Sequence, residues 1–185
     1  MNPVFTTYCP SPLGPLRITG DDAGVSAITC HDALPAGWPD DAIPTPSEPV
    51  VQAVQQLTEY FAGTRRAFDF ATNPAGTPFQ QRVWRALMDV PFGTTLSYLS
   101  LTRRLGDERA IRAVAQANGR NPLAIVVPCH RIIGSDGSLT GYAGGLWRKQ
   151  WLLEHEGGRH SGGRRSGIQS GVRAGQMTLF GPATE

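Results

Sequence analysis

The chain has 185 residues, 40% of them hydrophobic and 17% charged, which is enough apolar material for one ordinary domain or two small ones. Its 22 glycines and 15 prolines make it loop-rich, without the repeat of a collagen or the charge of a disordered chain. The net charge of +2 conceals an asymmetry: residues 1–78 carry three arginines against eight acids, residues 79–185 carry fourteen basic residues against seven acids, and the second half is therefore the one suited to a polyanion.

The first thirty residues predict a β-meander. Strands run over Val4–Tyr8, Leu16–Thr19 and Val25–Thr29, separated by turns at Ser11-Pro12-Leu13-Gly14-Pro15 and Asp21–Gly24. From Asp32 to Pro49 the residues are those of a loop. Val51, Val54, Leu57 and Phe61 then recur at helical spacing behind Ser47 as a cap, with Gly63 as the stop. Thr77-Pro78 reads as an N-cap followed by a proline in the first helical turn, and the domain boundary is placed here.

The second half reads as more helical. Phe79, Val83, Leu87 and Met88 mark one helix, closed by the turn Pro91-Phe92-Gly93. Helices over Tyr98–Leu105 and Glu108–Asn118, broken at Gly106-Asp107, form a helix-turn-helix pattern. Leu123–Val127 is expected to be a buried strand leading into Pro128-Cys129-His130-Arg131, and a last helix spans Leu146–His155. Residues 157–175 hold seven glycines, four arginines and no acid, a composition expected to stay flexible, with Met177, Leu179 and Phe180 beyond it as a short apolar plug that could dock on the body. The expected class is α/β in the α+β sense: an N-terminal α/β domain over 1–77, a helical domain with the helix-turn-helix and the active strand over 78–157, and a tail over 158–185.

The longest apolar run, Leu123–Val127, is too short to cross a bilayer and the N-terminus has no signal-like segment, so no membrane is expected and the expected location is cytoplasmic. Three cysteines, Cys9, Cys30 and Cys129, leave at least one free thiol. Cys129 is the most telling residue. A thiol becomes a useful nucleophile at neutral pH when a base or a positive field takes its proton, and His130 is such a base. On a strand, neighbouring side chains point to opposite faces, so the two cooperate only where the chain bends or a water bridges them; taken alone, such a pair is more often structural or incidental than catalytic. On the second helix of the helix-turn-helix, Arg109 and Arg112 stand beside the small residues Ala110, Ala113, Ala115 and Ala117, a face that lets backbone approach a groove, with Arg103 and Arg104 as phosphate contacts. Two packed helices with solvated arginines fit the same residues.

Pro128-Cys129-His130-Arg131, with Asn121-Pro122 before it and Gly141-Tyr142-Ala143-Gly144-Gly145 and Leu152-Leu153-Glu154-His155-Glu156-Gly157 after it, resembles the O6-alkylguanine-DNA alkyltransferases, in particular those of the bacterial Ogt type. The resemblance runs from about Thr77 to Gly157, takes in Pro91-Phe92-Gly93 and Ser97-Tyr98, and extends weakly to Ser11-Pro12-Leu13-Gly14. It implies direct-reversal repair without a cofactor: irreversible, stoichiometric transfer of an alkyl group from O6-alkylguanine to Cys129, with O4-alkylthymine left open as a substrate. It assigns proton removal to a relay from Cys129 through a water to His130 and Glu156, and proton donation to guanine N3 to the Tyr98 hydroxyl.

The target base must be rotated out of the duplex. By resemblance Arg112 intercalates, Ala113 and its helix sit in the minor groove, and Tyr98, Arg103 and Arg104 also face DNA. Asn121 braces the active segment. Tyr142, Ala143, Gly144, Gly145 and the carbonyls of Cys129 and Ile132 wall the guanine pocket. The implied partner is double-stranded DNA, bound by a monomer, with clustering along DNA left open. Some relatives hold zinc in the N-terminal domain; Cys9, Cys30 and His31 lack the spacing for it, and no metal is expected. Two other readings compete with this one. A non-catalytic lesion binder of the alkyltransferase-like kind would carry another residue, often Trp, at position 129, and a regulatory helix-turn-helix protein would need further domains.

Overall fold

The computed structural model describes residues 3–37 and 46–157. The tail, including the predicted flexible stretch and the apolar plug, lies outside the described residues. The meander forms as expected: β1 (Phe5–Cys9), β2 (Leu16–Asp21) and β3 (Gly24–Cys30) make an antiparallel sheet in the order β1-β2-β3. Leu16 and Ile18 on β2 alternate inward, and Val25 and Ile28 on β3, three residues apart, are both buried because the register shifts by one residue between them, at Thr19/Gly20 on β2.

Helix α1 (Glu48–Phe61) covers this sheet, rotated by about one position from the expected stripe. Its buried face is Pro49, Val50, Ala53, Gln56, Leu57 and Tyr60, while Val51 is exposed. The cause is that two polar residues face inward: Gln56 bonds Asp69, and Tyr60 reaches the far end of the chain. Ser47 stands at the N-cap position without capping; its hydroxyl donates instead to the Asp21 carbonyl at 3.0 Å, tying α1 to the end of β2.

Thr77 caps α2 (Pro78–Met88) in a full capping box with Gln80, worth about 1 kcal/mol to the helix. Val83, Trp84 and Leu87 are its buried residues, and Met88, expected on that face, is exposed. The Trp84 indole donates to the Ala117 carbonyl at 2.9 Å, fastening α2 to α4 (Ile111–Gly119). Helix α3 (Tyr98–Arg104), a 3₁₀ turn over Glu108–Ala110 and α4 form the helix-turn-helix.

One expectation is overturned. Leu123–Val127 is buried but is not a strand: a single bridge joins Leu123 to Ile28, after which the chain coils through Ile125, whose φ of 73° is a left-handed conformation rare for a β-branched residue. Cys129–Arg131 is one turn of 3₁₀ helix. Only then does a strand appear, β5 (Ile132–Ile133), pairing in parallel with β4 (Leu96–Ser97). Since β4 runs straight into α3 and β5 follows the Cys-His-Arg turn, this pair sets Tyr98 beside that turn. Helix α5 (Leu146–His155) closes the described fold and delivers Glu156 at its C-terminal cap.

Candidate active site

Cys129 is buried at the edge of a cavity of about 240 Å³. The coil from Asn121 presents it. Asn121 Oδ1 accepts from the Leu123 amide at 3.0 Å, and its Nδ2 lies 2.8 Å from the Val127 carbonyl and 3.1 Å from Cys129 Sγ. Asn121 thus braces the segment, as expected, and also touches the sulfur itself. Burial pushes the Cys129 thiol above its ordinary value, opposed by the Asn121 hydrogen bond and the charge of Lys149. At rest the sulfur is therefore a neutral thiol.

The bend that strand alternation would have denied is supplied by the 3₁₀ turn. His130 is fully buried, and its Nε2 lies 2.9 Å from Glu156 Oε1. Burial lowers the His130 pKa, outweighing the opposite pull of Glu156, so the imidazole is neutral. A carboxylate can only accept, which puts the ring proton on Nε2 and leaves Nδ1 as a lone pair. Nδ1 is buried with no hydrogen-bond partner among the described residues.

Glu156 is held from several sides. Arg131 Nε and Nη2 donate at 2.8 and 2.9 Å, the Tyr60 hydroxyl at 2.9 Å and the Gly93 amide at 3.2 Å. Burial alone would raise this carboxyl, but the hydrogen bonds from His130 and Arg131 and the charge of Arg131 prevail and hold it well below the usual carboxylate range. Gly93 has φ 73°, and a Cβ there would stand 2.8 Å from the Glu156 carbonyl, so the turn needs glycine.

Tyr98 sits at the rim. Its hydroxyl accepts from Asn118 Nδ2 at 3.3 Å and has only long contacts, 3.4 and 3.5 Å, to the Gly141 and Thr140 carbonyls, so its proton is loosely held. Tyr142, Ala143 and Gly144 line the cavity as expected, as does Gly141, where a Cβ would come within 2.8 Å of the Tyr98 oxygen. Two expected wall residues do not line it. Gly145 instead starts α5, and Ile132 is fully buried with its carbonyl accepting from Lys149 Nζ at 2.5 Å.

On the helix-turn-helix, Arg104, Arg112 and Ala113 are exposed. Ala117, expected on the same face, is buried against Trp84, and Arg103 is engaged with Glu108 at 2.9 Å. Sequence reasoning missed Tyr60, Arg131, Arg148, Lys149 and Cys30. Lys149, the only lysine, donates to the Ile132 and Thr140 carbonyls, and burial lowers it to about 8. Cys30 lines the cavity with Cys129; burial pushes its thiol up to about 11. Among the described residues no group of three or more His, Cys, Asp or Glu could hold a metal.

Two family models match the chain: "6-O-methylguanine DNA methyltransferase, ribonuclease-like domain" over residues 4–74 and "6-O-methylguanine DNA methyltransferase, DNA binding domain" over residues 78–158. A methylated-DNA--protein-cysteine methyltransferase of Methanosarcina acetivorans is 42% identical over 152 residues, 80% of this chain and 94% of that protein. One of Mycolicibacterium paratuberculosis is 45% identical over 155 residues, 82% and 90% of the two chains. The crystal structure of Mycobacterium tuberculosis O6-methylguanine methyltransferase superposes with a TM-score of 0.72 at 42% identity, covering 84% of this chain and 93% of that one. The DNA complex of the Mycobacterium tuberculosis protein gives 0.70 at 44% identity, covering 83% and 92%.

Proposed function

The chain belongs to the O6-methylguanine DNA methyltransferase family, and from that premise we propose that Cys129 is the acceptor that takes an alkyl group from O6-alkylguanine in double-stranded DNA. The sulfur attacks the alkyl carbon, the carbon–O6 bond breaks, and the group stays on the protein as a thioether, so each molecule acts once. The observation that carries this reading is the His130–Glu156 bond at 2.9 Å with Nδ1 unpaired behind the cavity that holds Cys129. No hydrogen bond joins the Cys129 sulfur to the His130 ring among the described residues, so a water carries the thiol proton to Nδ1. Glu156, held well below the carboxylate range, stays ionised; it fixes the imidazole tautomer and stabilises the imidazolium that forms. Guanine leaves with a proton from the loosely held Tyr98 hydroxyl on N3.

The base reaches the cavity by rotating out of the duplex, with Arg112 filling its place and Ala113 allowing α4 to approach the minor groove. Exposure of both residues on one helix, next to the cavity residues Asn118 and Gly119, supports this docking. The protein acts as a monomer, since one chain supplies every group of the site. It acts in the cytoplasm, where its free thiols Cys9, Cys30 and Cys129 would stay reduced. The test is a mass measurement. Incubation with a duplex containing O6-methylguanine should add one methyl group to the Cys129 peptide, and Cys129→Ser should abolish it while leaving DNA binding. An unmodified peptide after long incubation overturns the reading.

A further inference from the structure

The cavity that opens onto Cys129 is not built by the C-terminal half alone. Its second wall is the end of β3: Ile28, Thr29 and Cys30. This wall is stitched to the active coil, because the Ile28 amide donates to the Pro122 carbonyl at 2.8 Å and its carbonyl accepts from the Ala124 amide at 3.1 Å. Cys30 follows two residues later and so stands on the same face of the strand as Ile28. The Cys129 and Cys30 thiols are near enough for the charge of one to oppose ionisation of the other.

Arg148, buried under both walls, joins them. Its Nη1 donates to the Gly144 carbonyl at 2.8 Å, on the loop opposite β3. Its Nη2 donates to the His31 carbonyl at 3.1 Å and to Asp32 Oδ1 at 2.7 Å, just beyond Cys30, and its Nε to the Leu13 carbonyl at 2.8 Å. One guanidinium thus holds the two sides of the cavity in register.

An in-line displacement places sulfur, carbon and O6 on one axis, and whatever else is attached to that carbon projects sideways. A methyl group needs almost no lateral room, and a benzyl group needs space for a ring. We propose that the end of β3 sets the size of the alkyl group this protein accepts, with Cys30 the specificity-determining side chain and Arg148 the positioning residue that keeps its wall opposite Gly144. The proposal rests on the reading that Cys129 takes its alkyl group from guanine. A cysteine fills little volume, so the native wall leaves room that a larger residue would occupy.

The test uses the full chain and two duplexes that differ only in carrying O6-methylguanine or O6-benzylguanine, with transfer rates followed by intact-protein mass. Cys30→Phe is expected to lower the benzyl-to-methyl rate ratio by about tenfold or more, the discrimination that a few misplaced carbons produce in a pocket. Cys30→Leu should lower it less and Cys30→Ala should raise it. Arg148→Met, which frees the wall, should shift the ratio toward benzyl. Melting transitions identify any variant that fails to fold, and Cys30→Leu carries the test if Cys30→Phe does. A ratio unmoved in the folded Cys30 variants overturns the role of the wall. Absence of transfer from either duplex to the native protein would instead strike the acceptor reading itself.

Discussion

The Tyr60 hydroxyl donates to Glu156 Oε1 at 2.9 Å across 96 residues of sequence, so the helix over the N-terminal sheet touches the last group of the proposed proton relay. Both partners are buried, and burial together with the adjacent carboxylate pushes the Tyr60 phenol far above its usual value, which keeps it a donor at every working pH. Tyr60→Phe removes one hydrogen bond to a charged acceptor and is expected to cost about 1.5–3 kcal/mol in denaturant unfolding. Transfer should continue at a reduced rate, because Arg131 still holds the carboxylate. Unchanged stability would contradict the bond.

Glu156→Gln should be more severe. It leaves the Arg131 guanidinium buried without its counter-charge, a loss on the order of 3–5 kcal/mol by unfolding, and it leaves His130 without a carboxylate to stabilise its protonated form. Transfer to Cys129 should fall to the limit of detection. A variant that keeps native transfer would remove Glu156 from the relay.

Acid should destabilise the protein in two steps. The folded His130 pKa lies below its unfolded value of 6.5, so the unfolded chain binds the extra proton and stability falls as pH drops below that value. The folded Glu156 pKa lies below its unfolded value of 4.5, so its contribution is complete above that value and is lost as pH falls through the depressed folded one. Unfolding free energy measured from pH 8 to 3 should show both declines in the native protein. The lower one should shrink in Glu156→Gln, and an undiminished lower limb would assign it elsewhere.

Asn121 should act on the sulfur as well as on the loop. Asn121→Ala removes the donor at 3.1 Å and Asn121→Asp puts a negative charge in its place, so the Cys129 thiol should become harder to ionise in that order. The rate of transfer from free O6-benzylguanine against pH reads this directly. An apparent pKa that moves in neither variant would leave Asn121 a brace for the coil.

The arginines of the helix-turn-helix should separate by salt dependence. Arg104 is exposed, whereas Arg103 is occupied by Glu108. Arg104→Ala should reduce the slope of log affinity against log salt by about 0.9, the value of one phosphate contact, and Arg103→Ala by less. Arg112→Ala should slow repair of duplex DNA far more than reaction with the free base. Equal slowing would take Arg112 out of base extrusion.

What could be read in advance was what lies close together along the chain. The meander, the Thr77-Pro78 start of α2, the helix pair and the Cys129-His130 pair are local patterns, and Glu156 came by resemblance. The polar residues of the core were not legible, because a periodicity of apolar residues passes over Gln56 and Tyr60, which turn α1 by one position. The run Leu123–Val127 has the residues of a buried strand, and burial alone does not distinguish a strand from a coil held by Asn121. Arg148 bonds the His31 carbonyl across 117 residues of sequence, and Cys30 meets Cys129 from the other half of the chain, where no spacing rule applies.

Cys129 is 6% exposed, un-ionised at rest and reached only through a cavity. A protein that can react once has more to fear from soluble alkylating agents and oxidants than from a slow reaction, since each stray encounter would use up a molecule before it found a lesion. On the proposed mechanism its fidelity lies in keeping the nucleophile dormant until a bound base fills the cavity beside the sulfur and His130 takes the proton through the bridging water.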